Sequence, residues 1–128
     1  MFDDPFVDHF VNPRNVGLIE EPDGYGKAGS LDCGDLTEIY ISVSEGVITD
    51  IKYRTFGCSS AIASGSMATE LAKGKTLTEA MALTQDQIAD ALGGISEAKM
   101  HCSVMAADAV REAIKNYYAT HPEALPAA

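Results

Sequence analysis

The sequence predicts an α+β fold: a small antiparallel β-sheet of about three strands, helices packed on one face, and a long C-terminal helix. Three observations predict it. Thr37 to Ser44 and Val47 to Phe56 alternate apolar and polar residues on either side of a turn at Glu45-Gly46, which is the pattern of an antiparallel hairpin. After Gly57 the period changes, and Ala61, Ile62, Gly65, Ala68, Leu71 and Ala72 recur at helical spacing. Near the C-terminus, Met100, Val104, Ala107, Val110, Ile114 and Tyr117 form a continuous helical stripe.

Taken in order, the chain begins with Asp4 as an N-cap and Pro5 at the first helical position, where a missing N–H costs nothing. Phe6, Val7 and Phe10 supply the apolar stripe of this short helix, and His9 is expected at its surface or half-buried. Asn12-Pro13 stops it, because the residue before a proline is pushed out of the helical region. From Asn15 to Gly34 the chain is rich in breakers and reads as loop, with a short edge strand near Lys27 to Leu31. The hairpin follows: Ile39, Ile41 and Val43 alternate with Glu38, Tyr40 and Ser42, then Ile51, Tyr53 and Thr55 with Lys52 and Arg54. With one face wet, helices must cover the other. The first of them runs from Ser59 to Lys73 and is rich in small residues for close packing; Gly74 ends it. Two short helices come next, each opened by a capping-box pattern, Thr76 with Glu79 and Thr84 with Gln87. The last helix ends near His121-Pro122. No internal repeat or linker is visible, so residues 1–122 read as one domain and 123–128 as a disordered tail.

Composition narrows the function. At 128 residues and 46% hydrophobic content the chain can bury a single core. It has no apolar run long enough to span a bilayer, and its acidic start, Met1-Phe2-Asp3-Asp4, lacks the features of a signal peptide. A cytoplasmic protein is expected. Three cysteines, an odd number, then argue against a disulfide framework and towards metal binding or reactive thiols. The formal charge of -10 opposes nucleic acid and anionic membranes and favours a partner with a basic docking face.

The chemistry concentrates at junctions. Cys33 and Asp35 precede the first long strand, Cys58 lies between the second strand and a helix, and His101 and Cys102 stand where the last helix begins. The start of one hairpin strand lies beside the end of the other, so Cys33 and Cys58 can meet. A helix N-terminus favours the thiolate, which is the form that binds soft metal. Cys58 fits that position well, and Cys102 fits it too. Three thiolates with Asp35 or His101 make a four-ligand set for tetrahedral zinc or for a [2Fe–2S] cluster. A hard carboxylate in place of a thiolate weakens the fit to a soft cluster, a useful property where the cluster has to leave. The intervals of 25 and 44 residues match no compact zinc motif. Inert buried cysteines and a catalytic Cys102–His101 pair therefore stand beside the metal reading, although neighbours on one helix point about 100° apart, poor geometry for such a pair.

Five stretches together resemble the IscU/NifU-type iron–sulfur cluster scaffold proteins: His9 to Gly17 (HFVNPRNVG), Gly29 to Asp35 (GSLDCGD), Thr55 to Ser64 (TFGCSSAIAS), Lys73-Gly74-Lys75, and Lys99 to Met105 (KMHCSVM). They run from residue 9 to residue 105 in the family's order. The resemblance implies an assembly platform, not an enzyme with turnover. On it a [2Fe–2S] cluster, or a [4Fe–4S] cluster in a dimer, is built from iron and from persulfide sulfur delivered by a cysteine desulfurase of the IscS/NifS type. Electrons come from a donor such as ferredoxin, the finished cluster passes to apo-proteins, and zinc is an alternative occupant. Carried over by position, Cys33, Cys58 and Cys102 are the ligands, with Asp35 and His101 as alternating or additional partners. Cys102 matches the persulfide acceptor, Asp35 the carboxylate that keeps the cluster labile, and Lys99 a basic group beside the site. The scaffold is expected as a monomer or a cluster-bridged homodimer. Where many bacterial scaffolds carry Leu-Pro-Pro-Val-Lys, read by an Hsp70-type chaperone, this chain has Ile95-Ser96-Glu97-Ala98-Lys99, which weighs against chaperone-assisted release. The short Cys58–Cys102 interval and the histidine at 101 argue against the SufU-type zinc-dependent sulfurtransferases.

Overall fold

A computed structural model describes residues 4–30 and 34–124. Helix α1 covers Pro5–Val11, strand β1 Gly24–Ser30, β2 Asp35–Ser44 and β3 Val47–Phe56. Helices α2 (Ser59–Ala72), α3 (Leu77–Met81), α4 (Gln85–Ala91) and α5 (Met100–Thr120) follow. The three strands form one antiparallel sheet in the order β1-β2-β3.

The hairpin forms as its alternation demands. Ile39, Ile41, Ile51 and Tyr53 turn to the helices and are buried, while Glu38, Lys52 and Arg54 face outward. Ile48 and Ile51 are three apart, which strict alternation would send to opposite faces. A register shift between Ser42 and Val43 absorbs the extra residue, so both are fully buried. Each buried isoleucine contributes about 1.5–3 kcal/mol. On the far face Tyr25 packs on Tyr40, and Arg54 and the Tyr25 hydroxyl both bond to Glu38.

Strand β1 departs from the expected short strand at 27–31: it starts at Gly24 and pairs with β2 from Gly24↔Ile41 to Ser30↔Asp35. The reason lies in its glycines. A Cβ on Gly24 would strike the Ala113 carbonyl, and one on Gly26 would strike the backbone at Ala109, Glu112 and Ala113. Residues that read as breakers are the points where α5 lies directly on the strand. Leu31, expected in the same strand, is outside the described residues.

Two helices bury faces other than those expected. In α5 the stripe holds at Ala107, Val110 and Ile114, but Val104 is 37% exposed while Cys102, Met105, Ala106, Ala109 and Ala113 are buried. The helix is wedged between the sheet and α2, and its alanines allow contact on both sides. In α1 the expected stripe fails at Val7 and Phe10, which are exposed, and only Phe6 packs against the core. His9 is buried instead, its Nδ1 2.7 Å from Ser66 Oγ, and the Arg14 N–H donates to the same hydroxyl. A polar group taken out of water needs such a partner.

Helix α2 packs closely through small residues; the Tyr53 ring lies over Gly65, and its hydroxyl donates to the Ile62 carbonyl at 2.8 Å. Gly74, at φ 80°, turns the chain so that Gly74 and Lys75 bond to Ile48 at the edge of β3. Both expected capping boxes are formed at α3 and α4. Arg111 of α5 donates to the Met81 and Leu83 carbonyls, tying the α3 end to the last helix. Pro122–Ala124 form a 3₁₀ turn within the segment expected to begin a tail at 123, and residues 125–128 are outside the described residues. Among the described residues no helix is long and apolar enough to cross a membrane.

Candidate metal centre

The start of β2 and the end of β3 lie side by side, because Leu36 pairs with Phe56. That places Asp35 next to Gly57, and the chain then enters α2 with Cys58 as N-cap. A 3₁₀ turn, Glu97–Lys99, feeds α5 into the same corner with His101 and Cys102 in its first turn. Four expected donors thereby meet. Cys58 Sγ is 3.9 Å from Cys102 Sγ, Cys102 Sγ is 3.5 Å from His101 Nε2, and His101 Nε2 is 3.4 Å from Asp35 Oδ2. Cys33, the remaining expected ligand, is outside the described residues.

These separations bear on the chemistry. On a tetrahedral ion at ordinary bond lengths, sulfur–sulfur, sulfur–imidazole and imidazole–carboxylate edges measure about 3.8, 3.6 and 3.4 Å. The observed links match those edges one by one. Among the described residues no three donors already surround one ion-sized hole; they form a string, with Nε2 of His101 in its middle. That nitrogen can donate to Asp35 or accept from the Cys102 thiol, one at a time. Although neighbours on one helix point about 100° apart, the His101 imidazole reaches to 3.5 Å from Cys102 Sγ.

The two thiols differ. Burial opposes ionisation of Cys58, but the N–H groups of Ala61 and Ser60, the Cys102 thiol and Lys99 outweigh it, and its pKa is lowered. Cys102, expected to share that benefit, does not. Burial first, then Cys58 and Asp35, push it up to about 12. Lys99 is exposed at the N-terminal end of α5, and its charge favours both thiolates.

Three residues shape the site without having been expected to. A Cβ on Gly57 would come within 2.6 Å of Asp35 Oδ1 and 3.0 Å of the Ala61 Cβ. One on Gly29 (φ 89°) would meet the Asp35 carbonyl at 2.5 Å and Met105 Sδ at 2.6 Å. Met105 covers Cys102 from one side, together with Ala61. Each of these lies within a stretch already singled out in the sequence, but close approach leaves no mark there beyond the glycine itself. Beside the string opens a cavity of about 310 Å³, lined mainly by Ala28, Gly29, Val104 and Met105 with Asp35 and His101 at its rim.

The family model described as the NifU-like N terminal domain matches residues 1–124. The chain belongs to that family. Among NifU-like relatives, the iron-sulfur cluster assembly scaffold protein IscU 1 of Archaeoglobus fulgidus is 58% identical over 118 residues, covering 92% of this chain and 77% of the relative. The IscU of Azotobacter vinelandii is 47% identical over 120 residues, covering 91% of this chain and 93% of the relative. In structure, the N-terminal NifU-like protein from Brucella abortus superposes with a TM-score of 0.72 at 19% identity, covering 91% of this chain and 94% of that one, a likeness of fold. The NifU-like fold thus carries the four described donors to one end of the sheet.

Proposed function

We propose that this chain is a scaffold on which iron–sulfur clusters are assembled and from which they are passed on. The observation that carries this reading is the string Asp35–His101–Cys102–Cys58, spaced like the edges of a metal coordination sphere in a chain of the NifU-like family. Relatives named as assembly scaffolds support it. The cluster is cargo. A persulfide from a cysteine desulfurase supplies sulfur, iron and reducing electrons arrive separately, and apo-proteins receive the product. Cys33, Cys58 and Cys102 hold the cluster, with Asp35 or His101 completing the set and Lys99 tempering the negative charge. An oxidised [2Fe–2S] core is formally +2, so three thiolates with Asp35 leave the site at about -2, and with neutral His101 at about -1. Asp35, a hard ligand among soft ones, keeps the cluster releasable. A [4Fe–4S] product would draw thiols from two copies of the chain.

The test is anaerobic reconstitution with iron, cysteine, a cysteine desulfurase and an electron donor, followed by visible absorption, iron and sulfide analysis, and transfer to an apo-ferredoxin. Equal iron and sulfide on the protein, lost on adding the acceptor, is the expected result. A colourless protein that retains zinc and only accepts persulfide would overturn the reading in favour of a sulfurtransferase.

A further inference from the structure

We infer that the open side of β1 and the flank of α5 together form a docking strip for an extended segment of the apo-protein that receives the cluster. The inference rests on the scaffold reading and adds where the recipient binds. Its basis is the edge of the sheet. Among the described strands β1 pairs with β2 alone, so alternate residues along it turn N–H and C=O away from the sheet. The Tyr25 N–H marks that direction, because it leaves the sheet to donate to Asn116 Oδ1 at 2.9 Å. Lys27, two residues on in the same register, therefore turns its own N–H and C=O outward. No backbone bond from the described residues meets them, and Lys27 is exposed. The chemistry that matches an unpaired strand edge is an extended backbone added to the sheet.

The helix supplies the other wall. His101, Val104, Asp108, Glu112 and Lys115 are exposed in one stripe along the side of α5 that faces this edge. Between the two walls lie a groove of about 400 Å³ beside Tyr25 and Lys27 and the cavity of about 310 Å³ beside Ala28 and Gly29. The groove sets Lys27 and Lys115 against Glu112, a positive end in a chain of charge -10. Glu38, across from Lys27, is already held by Arg54 and Tyr25. The cavity is lined by apolar Val104 and Met105 and opens on Asp35 and His101. A segment laid along the strip thus places an acidic residue at one end, an apolar one at the other, and its next residues at the donors. Recipients bind clusters through cysteines closely spaced in one segment, so their thiols would reach the donors from this side. There a recipient thiol replaces a scaffold ligand on iron, its proton passes to the thiolate released, and no electron is transferred. A second copy of this chain fits less well, because a twofold pairing centred on Lys27 sets that lysine against itself.

Amide hydrogen exchange of the metal-free full chain would be followed by NMR with and without saturating apo-ferredoxin, and anaerobic transfer from the reconstituted protein to apo-ferredoxin would be timed. Apo-ferredoxin is expected to slow exchange at Lys27 by about tenfold or more. Lys27→Pro removes the outward N–H and leaves the bonds to β2 in place, so reconstitution should be unchanged. Its transfer at low acceptor concentration should slow by about fivefold, the worth of one main-chain bond. Lys27→Ala keeps the N–H and should retain most of the wild-type rate. Val104→Asp sets a charge in the apolar cavity and should slow transfer by about tenfold or more. Lys27 unprotected by apo-ferredoxin, or wild-type transfer by Lys27→Pro, overturns the strip. So does protection that comes from raising the concentration of the chain alone, or from a cysteine desulfurase in place of apo-ferredoxin. The exchange measurement uses the wild type, so a misfolded variant cannot decide the matter. In parallel, the wild type would be reconstituted with iron and inorganic sulfide. A cluster that forms and transfers with Lys27 unprotected refutes the strip alone, and no cluster refutes the scaffold reading and the strip with it.

Discussion

Gly57→Ala tests whether the Asp35 carboxylate is held in place by the absence of a side chain opposite it. Gly57 has φ 159°, a backbone conformation that side chains rarely adopt, so a methyl group there meets backbone strain as well as a steric clash. The added Cβ would lie 2.6 Å from Asp35 Oδ1, and the carboxylate must retreat by about 0.8 Å to reach ordinary contact. It would also press on the Ala61 Cβ at 3.0 Å, in the first turn of α2 behind Cys58. Asp35 is partly exposed and can swing away, so the steric part of the cost is modest, about 1–2 kcal/mol, which by itself lowers Tm by about 4–8 °C in a chain of this size, and the backbone strain adds to it. The local effect is larger. A shift of that size parts Asp35 from His101, which now sit 3.4 Å apart. A reconstituted cluster in Gly57→Ala should therefore lose its hard ligand and outlive the wild-type cluster, as in Asp35→Ala. The assay is Tm together with anaerobic decay of the cluster absorption for wild type, both single variants and the double variant. In the double variant the oxygen clash is gone, so the stability cost of Gly57→Ala should fall and cluster lifetime should change no further. Additive effects on lifetime, or an unchanged Tm and lifetime in Gly57→Ala, would refute the reasoning.

Asp35→Ala alone should lengthen cluster lifetime without loss of reconstitution yield, read by absorption decay under anaerobic conditions; a shorter lifetime would remove the labilising role. In the metal-free protein near neutral pH, Cys58 should be alkylated at least about 100-fold faster than Cys102, which combines full burial with a pKa pushed up to about 12; quenched labelling with peptide mapping checks it. His9 is held neutral, first by burial and then by Arg14, with a folded pKa below the unfolded value of 6.5. The unfolded chain then binds the extra proton, so the stability His9 contributes is complete above pH 6.5 and is lost as pH falls through the folded pKa. Urea unfolding between pH 7.5 and 5.5 should show that loss (about one pH unit either side of an ordinary histidine), and His9→Gln should flatten it. Gly26→Ala should cost about 3 kcal/mol or more in urea unfolding, because its Cβ would meet the α5 backbone at Ala109, Glu112 and Ala113, where no side chain can move aside.

The hairpin, its turn, helix α2 and the two capping boxes were legible because each is encoded in residues close together along the chain. Alternation of Ile39, Ile41, Ile51 and Tyr53 sets which face of the sheet is apolar, and a Thr with Glu79 or Gln87 three residues on satisfies its own backbone. The candidate donors could be named for a similar reason, since Cys, His and Asp at element junctions stand out by residue type. The family's motifs around them sharpened that reading without giving any distance.

Only the tertiary structure decided what depends on two distant segments at once. Gly24 and Gly26 look like loop until α5 is laid against them, and then they are the reason that β1 can exist. Val104 and Met105 are neighbours of similar hydrophobic character, yet one is exposed and the other covers Cys102, according to where the sheet meets the helix. His9 is buried because Ser66, far along the chain, offers it a partner. Cys58 and Cys102 are equivalent as letters, yet Cys102 is fully buried in a cluster with Ala61 and Met105 while Cys58, packed against that cluster, is only half-buried. Local pattern records what a segment needs from its surroundings, whereas burial and close approach are properties of the pair, and those exist only once the chain has folded.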